Sequence, residues 1–294
     1  MLKQIIFILK SDRSAYMQAI IADIGYLGTK FSENGVQVSY LVKDKNAGEL
    51  NALYPVKRGN KPPPDILYIT DDAEILDRML EAKYYIIALH HDYNDRGDLH
   101  KALFAMSEIR EIDFDSYLKA YERLAGFPWH ILDTKRLTVR ETTTGDVDEF
   151  YRIYSDPEIT RYMDPLYRDI DEEKAYAAEY IKTIYNFYGY GIWTIMLRET
   201  KEVIGRAGIS LRDGHRYPEL GFVIAREHQR KGYAEEALRA ILDLAKTELE
   251  FDTIQVLVQP ANIASVNLCD KLGFSKQGSV LLDEKEHLFL TLDL

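Results

Sequence analysis

In the first third of the chain, short apolar runs alternate with amphipathic stretches. Residues 3–9, 36–42, 65–70 and 84–89 are short, largely apolar segments of strand length. Between them, residues 14–27 and 71–82 place apolar side chains at helical spacing. Strand–helix–strand alternation of this kind predicts βαβ units and a parallel sheet. Residues 57–64 hold Arg58, Gly59, Asn60 and Lys61 followed by Pro62, Pro63 and Pro64, and read as a loop. A further helix over 113–125 is stopped by Gly126-Phe127-Pro128.

Residues 128–134 form the boundary. Phe127, Trp129, Ile131 and Leu132 make this connector apolar, so it is expected to be packed rather than a loose tether. A first domain over 1–130 and a second over 134–294 follow. The second opens on an alternating strand at 136–141. Thr143 and Asp146 then have the spacing of a capping box ahead of a helix at 147–155. A helix at 172–185 is followed by strands at 192–198, 203–211 and 219–224, a helix at 232–248, a strand at 253–259 and a helix at 263–272. Strands near 279–282 and 287–292 close the chain. Both halves are therefore of α/β character.

With 294 residues, 46% hydrophobic and 29% charged, the chain has the size of two ordinary globular domains. The net charge of −11 argues against nucleic-acid or anionic-membrane partners, both of which are gripped by Lys and Arg. It suits a cationic or amine substrate, although solubility alone explains the sign. The single cysteine, Cys269, excludes an intrachain disulfide and fits a reducing, cytoplasmic setting. The apolar run Ile5–Leu9 is closed by Lys10, Asp12 and Arg13, too early for a signal sequence, and nothing approaches the ~20 apolar residues of a membrane span.

The segment richest in chemistry is Glu219-Leu220-Gly221-Phe222-Val223-Ile224-Ala225-Arg226-Glu227-His228-Gln229-Arg230-Lys231-Gly232-Tyr233-Ala234-Glu235. It is a strand, a short basic loop and a helix start. Gly232 and Ala234 allow close backbone approach. Free N–H groups at a helix start, with the positive end of its dipole, form an anion site, and Arg230 and Lys231 add charge. No Gly-Lys-Ser/Thr follows, so this is neither a nucleotide P-loop nor a dinucleotide fingerprint.

Gln229-Arg230-Lys231-Gly232-Tyr233-Ala234 resembles the Q/R-x-x-G-x-G/A signature of the GNAT superfamily of N-acetyltransferases. Asn262-Ile263-Ala264-Ser265, ending in Lys271-Leu272-Gly273-Phe274, resembles that family's second motif. Arg136-Leu137-Thr138-Val139-Arg140-Glu141 and Asp156-Pro157-Glu158-Ile159-Thr160-Arg161-Tyr162-Met163 are similar to the opening of its ribosomal-protein N-terminal acetyltransferase branch. The resemblance covers nearly all of 134–294 and implies a mixed, mostly antiparallel sheet flanked by helices. It implies that acetyl-CoA is the co-substrate, with no metal. Phe222, Val223 and Ile224 would offer backbone groups to the pantetheine arm, and Arg230, Lys231, Gly232, Tyr233, Ala234 and Glu235 would hold the pyrophosphate. Asn262 would hydrogen-bond the pantetheine; it also reads as an N-cap.

The reaction needs a neutral amine. An α-amine of pKa ~7.7 is appreciably deprotonated near pH 7, whereas a lysine of pKa ~10.4 is not. Glu219 stands where several family members keep a general-base glutamate. Cys269 stands where many keep a tyrosine that protonates the leaving thiolate, and the cysteine is expected to be packing only. Tyr162, Met163, Tyr167, Tyr185, Tyr188, Tyr190 and Trp193 fall in or near the segment that walls the acceptor site in this family, most of them as core.

Asp65–Asp72, the following helix and Tyr84–Leu89 are similar to the late strand–helix–strand of haloacid-dehalogenase-like phosphatases. The Asp-x-Asp those enzymes need after their first strand is replaced by Leu9-Lys10-Ser11-Asp12-Arg13, which implies a degenerate, non-catalytic domain. His90, His91, Asp92, Asp95 and His100 read as solvated loop residues rather than metal ligands. The expected activity is acetyl transfer to a primary amine, on a small molecule or a protein N-terminus. The alternative is a CoA-binding regulatory module without turnover. Nothing in the sequence speaks to oligomeric state.

Overall fold

A computed structural model describes residues 1–43, 45–46, 62–92, 94 and 99–294. The predicted loop at 57–61 and Asp95 lie outside the described residues. The chain divides into two compact units, Met1–Phe127 and Pro128–Leu294.

The first unit is a parallel sheet of strands β1 (Gln4–Leu9), β2 (Gln37–Val42), β3 (Ile66–Thr70), β4 (Ile86–Leu89) and β5 (Ala105–Met106), in the order β2-β1-β3-β4-β5. This is the flavodoxin-like doubly wound order. Helices α1 (Ala15–Ser32), α2 (Ala73–Glu81) and α3 (Phe114–Ala125) cover it. Ile5, Phe7 and Leu9 of β1 join Ile24, Leu27, Tyr117 and Tyr121 in one apolar cluster, while Ile6 and Ile8 join Ile75, Leu76 and Met79 in another. Both faces of the central strands are buried, which is why the sequence shows runs of apolar residues rather than alternation. Ser14, Asp72 and Asp113 cap the three helices, their side chains accepting from the N–H of Met17, Ile75 and Ser116. Helix α1 runs five residues past its predicted end, and the short β5 has no signal in the sequence. The expectation of solvated loop histidines fails at His91. It is 7% exposed and its Nε2 lies 3.1 Å from Asp71 Oδ2, while Asp71 Oδ1 accepts from the Lys10 N–H.

The second unit holds an eight-stranded sheet. Its strands are β6 (His130–Asp133), β7 (Leu137–Arg140), β8 (Ile192–Leu197), β9 (Val203–Ser210), β10 (Glu219–Ile224), β11 (Thr253–Val258), β12 (Ser275–Leu282) and β13 (Lys285–Asp293), ordered β12-β13-β11-β10-β9-β8-β7-β6. All neighbours are antiparallel except β10 and β11. Residues 130–133, expected to be connector, thus form the edge strand, while Phe127 is 48% exposed rather than packed. Helices α4 (Val147–Tyr154), α5 (Ile170–Tyr180), α6 (Tyr233–Thr247) and α7 (Ile263–Leu272) flank the sheet. The predicted helix at 172–185 is α5 followed by a π-helical turn at Ile181–Tyr185. One face of the sheet packs on α6 and α7 through Trp193, Ile195, Leu220, Ile241, Ile254 and Cys269. The other carries Val203, Val223 and Phe150 of α4. Asp146 ties strand to helix: its carboxylate accepts from the Thr143 N–H at 2.7 Å and from both Arg140 Nη groups at 2.6 and 2.7 Å.

Candidate active site

The site is built where the one parallel pair comes apart. Strand β10 pairs with β9 along its whole length, from Glu219↔Ser210 to Ile224↔Gly205. With β11 it pairs only at Glu219↔Gln255, anchored by the Gln255 N–H donating to Pro218 C=O at 2.8 Å. Beyond that point the β11 side of β10 has no ladder. The Ala225 N–H donates to Ile204 C=O, and alternation along an antiparallel ladder then turns the Val223 amide toward β9 as well. Phe222 and Ile224 face the open side, where the Ile224 carbonyl already accepts from Gln229 Nε2 at 2.9 Å. The expectation that Val223 offers backbone groups to a ligand is therefore corrected. Strand pairing consumes them, and its side chain packs on the α4 face.

At the end of β10 the chain turns through Arg230 (φ 59°) and Gly232 (φ 81°) into α6. Gly232 occupies the left-handed region, and a Cβ there would also meet Arg136 at 3.4 Å. Glu236 N donates to Gly232 C=O, so the N–H groups of Gly232, Tyr233, Ala234 and Glu235 precede the first intrahelical bond. They donate to no acceptor among the described residues. Arg230 and Lys231 are exposed beside them. The two acidic side chains of this turn are held elsewhere. Lys271 (2.5 Å) and Arg239 (3.0 Å) hold Glu235 and push its carboxyl below the usual range. For Glu236, burial acts upward, but bonds from Thr134 and from the Arg136 backbone and side chain leave it lowered. The helix start is thus left with open donors and net positive charge, which suits the diphosphate of CoA.

Asn262 Oδ1 accepts from the Ser265 N–H at 3.3 Å, capping α7; its amide nitrogen makes no bond among the described residues. Cys269 is fully buried in the core against α6, and burial pushes its thiol up to about 12. Glu219 is gripped by a guanidinium fork: Arg212 Nε lies 2.6 Å from Oε2 and Nη2 3.1 Å from Oε1. The hydrogen bond to Glu219 raises the Arg212 guanidinium further. Opposite Glu219, Gln255 is 1% exposed, and among the described residues neither atom of its amide has a partner.

Of the aromatic residues expected near the acceptor, Trp193 and Tyr185 are core at 1% exposure, and Tyr167 and Tyr188 are on the surface. A cavity of about 120 Å³ instead lies between α4, α5 and strands β8 and β9, and Glu173, Tyr176, Tyr180 and Arg206 are among its walls. Sequence reading missed these residues, along with Gln255 and Arg212. The available signal was Glu173 itself, an acidic residue four positions before buried Ala177 on the inward stripe of α5.

Residues 136–275 match the acetyltransferase (GNAT) domain family. The uncharacterized N-acetyltransferase p20 of Bacillus licheniformis is 34% identical over 152 residues, which span 50% of this chain and 83% of p20. The uncharacterized N-acetyltransferase YoaA of Bacillus subtilis is 34% identical over 155 residues, 50% of this chain and 84% of its own. Among solved structures, an acetyltransferase from Agrobacterium tumefaciens aligns over 55% of this chain and 94% of its own, with 26% identity and a TM-score of 0.49. The chain belongs to the GNAT family and is an acetyl-CoA-dependent acyltransferase. Among the described residues no helix is long and apolar enough to cross a membrane.

Proposed function

We propose that the second unit transfers the acetyl group of acetyl-CoA to a primary amine in a ternary complex. The observation that carries this reading is the parting of β10 and β11 after Glu219↔Gln255, in line with the open helix start at Gly232–Glu235. The pyrophosphate would sit on the N–H groups of 232–235 beside Arg230 and Lys231. The pantetheine arm would lie along Phe222 and Ile224, with the Asn262 amide nitrogen as a further donor. The acceptor would then reach the thioester from the α4–α5 side of the sheet.

Two of the roughly four lone-pair sites of the Glu219 carboxylate serve Arg212. The others can take a proton from the incoming ammonium, directly or through water. The freed amine attacks the thioester carbonyl, the C–N bond forms, the C–S bond breaks, and the nitrogen sheds its second proton to water to give the amide. CoA leaves as the thiolate. Cys269, buried and protonated, has no part in this. Acceptors of the ribosomal-protein branch, whose opening motifs the chain resembles, would present an α-amine, the form that needs least help from a base. The first unit would be non-catalytic: Asp12, the sole acidic residue just after β1, is ion-paired to Lys45.

The test is release of free thiol from acetyl-CoA with a panel of primary amines, beside calorimetric titration with CoA. Binding and turnover are expected. Binding without turnover on any amine would favour the regulatory-module alternative, and absence of binding would remove both.

A further inference from the structure

The cavity beside β9 has walls of two kinds. Phe150, Ala177 and Ile192 form an apolar side, with Tyr180 half-buried and Tyr176 exposed. Glu173 of α5 and Arg206 of β9 supply charge. Glu173 is 4% exposed, and its one bond is Oε2 accepting from the Tyr167 N–H at 3.0 Å. Arg206 is half-buried over the rings of Phe150 and Tyr154, 5.0 Å from each centroid, and spends its Nε on the Tyr154 hydroxyl at 3.0 Å. Among the described residues neither charge has an ion-pair partner, and the terminal nitrogens of Arg206 donate to nothing.

Charged groups drawn out of water are retained when something compensates them. Here one cavity is lined by a buried carboxylate and a half-buried guanidinium, neither with an ion-pair partner among the described residues. A ligand with an ammonium and a carboxylate a few atoms apart would complete both. The space equals that of several waters, which fits a small molecule better than a folded chain end. Arg206 pairs with Val223 across the ladder, so this wall stands one strand from the cleft assigned to the thioester.

We propose that this cavity selects the acceptor, and that the acceptor is a small zwitterionic amino acid with an apolar or aromatic side chain. Arg206 holds the carboxylate, Tyr176 and Tyr180 flank the side chain, and Glu173 draws the ammonium in before the amine passes to Glu219 and the thioester. The proposal rests on the acetyl-transfer reading of the same domain.

The experiment uses the full chain with acetyl-CoA. Thiol release is measured on L-leucine, L-methionine and L-phenylalanine, on their methyl esters, and on phenethylamine and putrescine. The free amino acids are expected to exceed their esters and phenethylamine in kcat/KM by about tenfold or more, the scale for leaving one partner of a charge pair unmatched. Arg206→Gln should erase that ratio by raising KM for the acids alone, with Arg206→Lys restoring part of it. Glu173→Gln should weaken acids and esters alike. CoA affinity, read by calorimetry, should stay unchanged in every variant. Esters or putrescine equal to the acids, or an acid-to-ester ratio that survives Arg206→Gln, overturns the proposal while leaving acetyl transfer intact. If CoA does not bind, acetyl transfer fails and the proposal with it. If CoA binds but no amine turns over, amino acids titrated into the CoA complex decide, and no binding overturns the proposal. Should the variants fail to fold, the acid-to-ester ratio of the parent decides alone.

Discussion

Arg212 and Glu219 face each other across the turn between β9 and β10, joined by two charge-assisted bonds of 2.6 and 3.1 Å, with only 13% of the Glu219 side chain exposed. The pair places a positioned carboxylate at the last residue before the strands part. Glu219→Gln keeps the shape and removes the proton acceptor, so kcat/KM for an accepted amine should fall by roughly 10²-fold or more near neutral pH. The loss should shrink as pH rises, because the free amine then forms unaided. A loss independent of pH in Glu219→Gln would assign the residue to positioning instead.

Gly232→Asp should abolish CoA binding. The substitution forces a side chain into backbone with φ 81° and puts an anion on the helix start. Calorimetry checks it, and an affinity within a few-fold of the parent would place the diphosphate elsewhere.

Gln255→Met tests a trade between stability and activity. A buried amide without partners costs about 1–3 kcal/mol, so the thioether should raise stability by about 1 kcal/mol in denaturant titration. If the amide serves bound substrate, kcat/KM falls at the same time. Higher stability with unchanged kinetics would make Gln255 a passive residue.

Cys269→Ala should cost about 1 kcal/mol of stability through lost packing and leave the pH profile of kcat/KM as it is. A thiol pushed up to about 12 by burial stays protonated throughout the working range. A large loss of rate would make it the acid for the leaving thiolate.

A fragment of residues 128–294 should bind CoA and unfold at higher denaturant than one of residues 134–294. The shorter fragment lacks β6, whose approach to β7 is joined by the Glu141 N–H donating to Trp129 C=O at 2.9 Å. Equal midpoints would show that the edge strand contributes nothing.

How far the sequence carried the fold is clearest at β10 and α6. Glu219–Ile224 emerges at its predicted limits, and α6 differs from its predicted span by one residue at each end. A short apolar run, a glycine at a helix start and an amphipathic stripe are each local, so they are readable without neighbours. The strand His130–Asp133 was not readable, because an edge strand is made by its partner rather than by its own pattern.

The sequence by itself determined the family, most of the element order and the helix start that suits a diphosphate, since each rests on residues adjacent along the chain. Only the tertiary structure decided which backbone groups of β10 remain open, because pairing with β9 takes the Val223 amide and spares Phe222. It alone joined Arg212 to Glu219, buried the amide of Gln255, and brought Glu173 of α5 and Arg206 of β9 to one cavity. These relationships depend on which strand lies beside which and on which face a helix covers. Distances of that kind arise from packing many segments at once and leave no mark at any single position.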